Sequence, residues 1–336
     1  MTVSRLAGQG RGREKLMFSV KTKNVNGDKN TKQNIAGKRC ELCPVCSSRT
    51  YLWKTKETHK FGKFNIDRCS KCGYAFVNPR PFPGFLREFY SVSGHNSDGG
   101  EKFSTLAEVL EQERIYPNST VDAERIVSTV ISLNPDCNTF LDVGSGYGFF
   151  LREALLNKLD VTAIEVAGSE NEICEQLTKV KAFTVSFEDF QYEKNYFSII
   201  LMSQILEHAY DVNQWILKAR RLLKPDGVLA IALPNFNSIF RLVMQENESY
   251  ICPPAHLNFF TERSLANLLR KHGLNVCKVQ YVSRVPYSAL ERRLAGSGIG
   301  SCFAKTLHRM MIGALKAVDM YHLGMMLNVY AKKTKA

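Results

Sequence analysis

The chain has 336 residues, of which 44% are apolar and 23% charged, as expected for a globular protein with one main α/β domain and a smaller module. No apolar run reaches the roughly 18 residues of a membrane span, and the N-terminus lacks the apolar core of a signal peptide. The formal net charge of +13 raises the question of a nucleic-acid partner, which depends on where that charge lies.

Most of the charge lies in residues 1–39, where ten Lys and Arg face two acidic residues. The segment is rich in Gly, Asn and Lys and has no hydrophobic period, so we expect a disordered basic leader. A solvated tail accounts for such a leader as well as a nucleic-acid arm does. The basic charge is therefore weak evidence for RNA or DNA, and it leaves the oligomeric state open.

Ten cysteines without a signal peptide indicate a reducing, cytoplasmic compartment, where close pairs bind metal more often than they form disulfides. "CPVC" and "CSKC" are two Cys-x2-Cys pairs, a spacing that closes one tetrahedral Zn²⁺ site. The predicted ligands are Cys43, Cys46, Cys69 and Cys72. Cys40 and Cys43 are also separated by two residues. We prefer Cys43 with Cys46 as the first pair of ligands, because the "CPVC" turn has the usual form of a zinc ribbon, and Cys40 is then not a ligand.

Between the two pairs, "TYLWKTK" and "KFNIDRC" alternate and predict two short strands. Residues 40–80 therefore resemble a zinc ribbon. Its metal would be structural, because four ligands leave no open position and so small a module needs the metal to fold. The alternative is a set of free thiols on two hairpin turns.

The Pro-rich stretch "VNPRPFPG" closes this module as a stiff linker. Residues 81–132 read as a mostly helical linker or lid, with "HNSDGGE" as a polar loop and "DAERIVSTVISL" as a helix. Residues 133–336 remain for the main α/β domain.

"NTFLDVGSGYGFFLREALLNK" predicts a buried strand, a Gly-rich turn and a helix, with Gly144, Gly146 and Gly148 spaced G-x-G-x-G. Dinucleotide sites have the last glycine one place later, so this turn fits a ligand without a pyrophosphate. Asp142, just before the turn, would repel phosphate and favour an ammonium. Glu165 ends the next strand, where an acid can hold both ribose hydroxyls of an adenosine. Ammonium, carboxylate and adenosine together describe S-adenosylmethionine.

A third strand at "FTVSFEDF" and a fourth at "YFSIILMSQILEH" follow, and then "LLKPDGVLAIALPN" and "PPAHLNFFTERSLANLLRKHGL". At this point residues 120–280 resemble the class I S-adenosylmethionine-dependent methyltransferases, especially the broad branch with "LEH", "LKPGG" and "PN". Ser198 and Asp226 are mild departures from that pattern. The resemblance implies a Rossmann-like sheet of seven strands, six parallel and an antiparallel last one, for which "LGMMLNVYAKK" fits.

The resemblance also implies a site for this cofactor. The methionine part would be held by Asp142, Gly144 and Gly146, the ribose by Glu165, and the adenine by Ser186 and Phe187. The adenine contact is the weakest of these assignments, since many relatives have an acid at the place of Ser186. The alternative for the glycines is simple turn geometry.

Glu207, His208 and His256 are the candidate acid/base residues, each expected near the carboxyl edge of the sheet. The alternative is that Glu207 and His208 cap the next helix, for which Asp211 is the better N-cap, and that His256 fixes its Pro-rich loop. Some ubiquinone-pathway O-methyltransferases carry Glu-x-x-Glu-His here and hold a divalent metal. Gln204 stands at the first of those places, which argues against that metal site.

These features favour an S-adenosylmethionine-dependent methyltransferase of a small molecule. A cysteine ribbon before such a domain resembles the sugar C-methyltransferases, which makes a sugar or polysaccharide precursor a candidate acceptor, although too few residues follow for their C-terminal domain. An RNA methyltransferase is the second hypothesis, but "LPNFNS" lacks the Pro-Pro pair of base-flipping motifs. A degenerate, non-catalytic scaffold is the third, and the intact turn from Asp142 to Gly148 argues against it.

Overall fold

Two β-sheets organise the part of the chain that the computed structural model describes, which is residues 37, 39–58, 61–93, 103–284 and 301–334. Apart from residues 37 and 39, the predicted basic leader lies outside this part, as does the predicted loop "HNSDGGE". None of the helices in these ranges is both long and apolar enough to cross a bilayer.

The strands and helices follow one another in the order of an α/β domain preceded by a small β module. The strands are β1 Thr50–Thr58, β2 Gly62–Cys69, β3 Ala75–Val77, β4 Thr139–Val143, β5 Asp160–Ile164, β6 Phe197–Ser203, β7 Leu223–Pro234, β8 Asn258–Phe259, β9 Leu274–Val282 and β10 Met326–Lys333. The helices are α1 Pro83–Ser93, α2 Leu106–Ile115, α3 Asn118–Leu133, α4 Phe149–Leu156, α5 Gly168–Thr178, α6 Val212–Leu222, α7 Ile239–Met244, α8 Glu262–Lys271 and α9 Ser301–Met320.

The main sheet has six strands in the order β5-β4-β6-β7-β10-β9. Strands β5, β4, β6 and β7 pair in parallel, and β10 is antiparallel to both of its neighbours. The strand predicted at "LGMMLNVYAKK" is thus confirmed as an antiparallel strand. The central strands are buried along most of their length, which explains their continuous apolar runs.

The prediction of seven strands is wrong for the described residues, because "FTVSFEDF" does not form a strand. Phe183 makes one isolated parallel bridge to Ile164. Three residues later the chain turns, since Ser186 accepts a hydrogen bond from the amide of Asp189 through its hydroxyl oxygen and another through its carbonyl oxygen. A side chain that bonds its own backbone in this way competes with strand pairing.

Helices cover both faces of the main sheet. Ile126 of α3 and Leu151 of α4 belong to the buried cluster on one face. Trp215 of α6 and Leu265 of α8 belong to the cluster on the other. The result is a three-layer, Rossmann-like α/β fold whose parallel strands end at one common edge, where such sheets bind ligands.

The second sheet has four antiparallel strands in the order β1-β2-β3-β8. The first two confirm the predicted strands of the cysteine module. The fourth comes from far along the chain, since Ala75 and Phe76 pair with Phe259 and Asn258. The module also shares its apolar core with the main domain, because Tyr74 and Phe76 lie in the same buried cluster as Trp215.

Candidate active site

The Gly-rich turn after β4 needs glycine for its backbone conformation and for space. Gly144 and Gly148 have φ angles of +74° and +88°, which residues with a Cβ rarely adopt. A Cβ on Gly144 would lie 2.9 Å from Cδ1 of Ile205, and one on Gly148 would lie 2.7 Å from Sγ of Cys174. Both glycines therefore permit the close approach of the loop to its neighbours.

We expect Gly148→Ala to lower the free energy of unfolding by roughly 1–3 kcal/mol, because the new methyl group would need a positive φ and would collide with a buried sulfur. Urea unfolding of the full chain measures this. Gly168→Ala is the matched control, since a Cβ there meets nothing within 4 Å, and we expect it to leave stability within about 0.5 kcal/mol. Equal stability of both variants would contradict the steric argument.

Two buried carboxylates lie beside this turn. Asp142, at the end of β4, is 1% exposed, and its Oδ2 has no hydrogen-bond partner among the described residues. Burial, and to a lesser extent the charge of Glu165, raises the pKa of Asp142 well above its usual range. A buried carboxyl without a partner is costly unless a ligand supplies one.

Glu165 lies at the end of β5 and ties two loops together. Its Oε2 accepts a hydrogen bond of 2.9 Å from the amide of Gly146, and its Oε1 accepts one of 2.9 Å from the amide of Ala167. The predicted ribose ligand therefore lies directly against the glycine turn. Each carboxylate oxygen accepts more than one hydrogen bond, so these contacts leave capacity for a ligand.

The two residues predicted for the adenine have different surroundings. Ser186 is half-buried, and its hydroxyl donates to Oδ2 of Asp189 at 2.8 Å. Phe187 is buried, with its ring centroid 5.1 Å from that of Trp215 in an edge-to-face contact. The neighbouring Glu188 accepts a hydrogen bond from Nε1 of Trp215. The loop is thus anchored to α6 by Phe187 and Glu188, while Ser186 stays nearer the surface.

Strand β6 ends at Ser203, and the chain reverses at once. Gln204 has a φ of +52° and its amide donates to the carbonyl of Ala232. Leu206–His208 then form a short 3₁₀ turn. This turn places Glu207 and His208 at the carboxyl edge of the sheet, as predicted.

Glu207 is buried, and neither of its carboxylate oxygens has a hydrogen-bond partner among the described residues. Burial raises its pKa to about 8, so the carboxyl is mostly protonated at neutral pH. The alternative that Glu207 caps the next helix is wrong, because Asp211 caps α6 by accepting from the amides of Asn213 and Gln214.

His208 and His256 lie against Glu207, with their ring centroids 4.8 Å apart. Nδ1 of His208 lies 2.9 Å from the carbonyl oxygen of Ala255, and Nδ1 of His256 lies 2.8 Å from that of Tyr250. A carbonyl oxygen only accepts, so each Nδ1 carries the proton and each Nε2 is the basic nitrogen. Burial lowers the pKa of His256 to about 4, which keeps that ring neutral.

The structure brings together two groups of side chains that could surround a metal ion. Donor atoms of Glu207, His208 and His256 all lie within 4.8 Å of one another. The exposed Gln204 is not part of that group. The second group consists of the sulfurs of Cys43, Cys46, Cys69 and Cys72, which also lie within 4.8 Å of one another. The distance is 3.7 Å between the sulfurs of Cys43 and Cys72 and 3.5 Å between those of Cys46 and Cys69.

The four-sulfur cluster has the chemistry of a zinc site. Three of its cysteines are buried, and the amide of Cys72 points to Sγ of Cys69, as backbone amides do around metal thiolates. Gly73 turns the chain with a φ of +77°. Cys40 is outside the group, and its backbone amide bonds to Asn78.

A buried polar network that sequence reasoning missed holds the Glu207 turn to the cysteine module. Arg80 donates to Oδ1 of Asn258 at 2.7 Å and to the carbonyl of Ala209 at 3.2 Å. Nδ2 of Asn258 donates to the carbonyls of Leu206, Glu207 and Ala209. These contacts fix the main chain on both sides of His208. No motif predicts these contacts, because the partners lie far apart along the chain.

Residues 115–279, just under half of the chain, match a family model described as a methyltransferase domain. These residues contain β4 to β8, the glycine turn and the Glu207 cluster. This part of the chain is therefore similar to methyltransferase domains, and the matched residues are called the methyltransferase domain below.

Two curated relatives, both named ubiquinone biosynthesis O-methyltransferase, are similar to the methyltransferase domain. The protein of Rickettsia felis is 29% identical over 159 residues, which cover 45% of this chain and 60% of the relative. The protein of Rickettsia prowazekii is 27% identical over 100 residues, which cover 28% of this chain and 39% of the relative. The similar region therefore spans about 60% or less of the length of these relatives.

Solved structures show similarity over a larger part of the chain, at low sequence identity. The 1,6-didemethyltoxoflavin-N1-methyltransferase of Burkholderia thailandensis has 15% identity and a TM-score of 0.49, and the alignment covers 78% of this chain and 96% of that protein. A methyltransferase of Thermotoga maritima has 19% identity and a TM-score of 0.47, with 68% and 96% covered.

Proposed function

We propose that the protein transfers a methyl group from S-adenosylmethionine to a small-molecule acceptor. The observation that carries the proposal is the carboxylate of Asp142, which is buried without a partner on Oδ2 beside a turn that only glycine can form. An ammonium group would pair with this acid, and Glu165, tied to the same turn, would hold ribose hydroxyls. The match of residues 115–279 to a methyltransferase domain supports the same assignment.

The residues of this chain would have separate tasks in the reaction. Bound S-adenosylmethionine supplies an activated methyl group, so positioning of the acceptor does much of the work. Asp142 and the glycine turn would hold the methionine part, and Ser186 and Phe187 would border the adenine. Glu207 would donate a hydrogen bond to the acceptor or exchange a proton with it, since a pKa of about 8 suits both tasks near neutral pH. Nε2 of His208 would be the neighbouring proton acceptor, whereas Nε2 of the neutral His256, whose pKa is about 4, would accept a hydrogen bond.

We further propose that the four cysteines of the module hold a structural Zn²⁺. The support is the closeness of all four sulfurs, their burial and the tetrathiolate chemistry. No ligand place is left for a reactant, so the metal would stabilise the module and take no part in the transfer. The sheet of this module would then act as a wall of the acceptor pocket.

Calorimetry of S-adenosylmethionine binding to the full chain tests the activity proposal without knowledge of the acceptor. We expect saturable binding, and we expect Asp142→Asn to weaken it at least about tenfold, because a charged partner of an ammonium is worth roughly 1.5–3 kcal/mol. Asp136→Asn, an exposed carboxylate in the loop before β4, is the matched control and should bind normally. A wild-type chain that does not bind the cofactor would refute the proposal.

The acceptor itself can be found with methyl-labelled cofactor. The two acceptor classes to screen are sugar precursors, in line with the resemblance of the cysteine module, and phenols, in line with the named relatives. Label appearing in product with one class and not with the other decides between them.

A further inference from the structure

A cleft next to Glu207 contains a buried arginine that forms no ion pair with the acidic side chains of the described residues. It is lined by the end of β7, the α7 segment and the loop that leads to β8, including Glu207, Phe236, Arg241, Tyr250 and His256. Arg241 is 3% exposed. Among the described residues, no carboxylate oxygen lies within 4.0 Å of its guanidinium group. A buried charge without a counter-ion is costly.

The hydrogen bonds of Arg241 do not use the whole guanidinium group. Nε donates to the carbonyl of Phe236, and Nη2 donates to Oδ1 of Asn237 at 3.2 Å. Nη1 makes no hydrogen bond among the described residues and is not one of the fully enclosed polar atoms. Arg241 can therefore still donate to a ligand in the cleft that it lines.

A second arginine strengthens the positive potential. The guanidinium carbons of Arg241 and Arg68 lie 4.5 Å and 5.6 Å from the centroid of the Phe236 ring. Burial first, and then the charge of Arg68, lowers the pKa of Arg241 to about 10, so both groups are positive at neutral pH. Because both arginines lie near the ring of Phe236, Arg68 of β2 is next to the methyltransferase domain.

The acidic residues of the cleft form no ion pair with Arg241 among the described residues. Glu248 lines the same cleft, and its charge raises the pKa of Arg241. Its two oxygens bond within its own turn, accepting from the hydroxyl of Ser249 and from the amide of Tyr250. The guanidinium groups of Arg241 and Arg68 outnumber this carboxylate, so Arg241 can still pair with an anion.

We propose that the acceptor carries an anionic group, a carboxylate or a phosphate, which binds to Arg241 with the help of Arg68. This inference rests on the proposed function and names the chemical class of its acceptor. The anion would sit between the cysteine module and the methyltransferase domain, with the ring of Phe236 beside it. The acceptor atom that receives the methyl group would then lie at the end of the cleft next to Glu207.

Titrations with small anions test this site without the true acceptor. The full chain, saturated with S-adenosylhomocysteine, is titrated at constant ionic strength with benzoate, benzamide and inorganic phosphate. Binding is followed by saturation-transfer NMR and by the fluorescence of Trp53, whose ring lies 5.0 Å from that of Phe236. We expect benzoate or phosphate to bind at least about tenfold more tightly than the neutral benzamide, and the stronger of the two indicates whether the acceptor is a carboxylate or a phosphate.

Arg241→Gln should reduce anion binding to the level of benzamide, and Arg241→Lys should keep part of it. Arg68→Gln, at a half-buried position, should weaken binding two- to fivefold and serves as the test if Arg241→Gln fails to fold. The matched control Arg270→Gln, on the exposed side of α8, should change nothing. Binding of both benzoate and phosphate no tighter than that of benzamide by the wild type, or unchanged anion binding in the Arg241 and Arg68 variants, would overturn the inference.

The binding of S-adenosylhomocysteine by the same samples separates this inference from the proposed function. A wild-type chain that binds the cofactor product but does not discriminate anions refutes the anionic acceptor alone. A chain that does not bind S-adenosylhomocysteine refutes the methyltransferase proposal.

Discussion

Glu207→Gln should lower turnover by a factor of about 10² to 10⁴ and at the same time stabilise the protein above neutral pH. Turnover falls because an amide cannot exchange a proton with the acceptor. Stability rises because the variant no longer buries an ionisable group. A residue that merely supported the fold would show the opposite pattern, with a loss of stability.

The pH dependence follows from the raised pKa of Glu207. Between its ordinary value of 4.5 and about 8, the unfolded chain releases this proton while the folded chain keeps it. Over that range the group lowers the free energy of unfolding by up to about 1.4 kcal/mol per pH unit. We therefore expect the wild type and the variant to be equally stable near pH 4.5, and the variant to be more stable at pH 8.

Thermal unfolding across pH measures stability, and turnover is measured on the acceptor that the labelled screen identifies. Glu172→Gln, an exposed carboxylate of α5, is the matched control and should alter neither quantity. Assays before and after dialysis against EDTA distinguish a proton-transfer residue from a metal ligand. A Glu207→Gln variant with wild-type turnover would exclude a role for this carboxyl in catalysis.

Cys72→Ser should abolish zinc binding and unfold the cysteine module. Loss of a supporting contact around a zinc site costs 10- to 100-fold in affinity, so loss of a ligand should exceed about 100-fold. Without metal, the buried sulfurs and the three-residue strand β3 offer little to hold the module together. We expect about one zinc per wild-type chain in metal analysis and almost none in the variant.

Cys40→Ser is the matched control for this experiment, since Cys40 lies outside the four-sulfur group. It should keep its zinc and its thermal stability. Zinc lost from Cys40→Ser and retained by Cys46→Ser would assign the site to the other Cys-x2-Cys pair, Cys40 with Cys43. In a Trp215→Phe background, the emission of Trp53 on strand β1 reports unfolding of the module independently of the metal content.

The strands and the glycine turn were predictable because local composition determines them. The apolar run before Gln204 could only be a buried strand, and the turn after Asp142 has a spacing that few other structures need. The failed strand at "FTVSFEDF" shows the limit of this reasoning. Its alternation is typical of a strand, but the hydroxyl of Ser186 accepts from the backbone amide of Asp189, and the pairing stops after Phe183.

The candidate site was predictable residue by residue but not as an arrangement. Glu207 and His256 are 49 positions apart, and only the folded chain shows that their donor atoms meet. Arg241 lies in no recognisable motif. Its proposed role depends on its burial and on the absence of an ion pair with the described carboxylates, which only the folded chain shows. Phe187 also illustrates the limit, since its contact with Trp215 depends on where α6 packs.

The pairing of β3 with β8 affects how the chain can fold during synthesis. Strand β8 leaves the ribosome long after β3, and at about 5–20 residues per second the delay amounts to tens of seconds. During that time the cysteine module could bind the proposed Zn²⁺, but the edge of β3 stays unpaired and open to other strands. A nascent chain of this protein is therefore most prone to misassociation after the module is complete and before Asn258–Phe259 emerge.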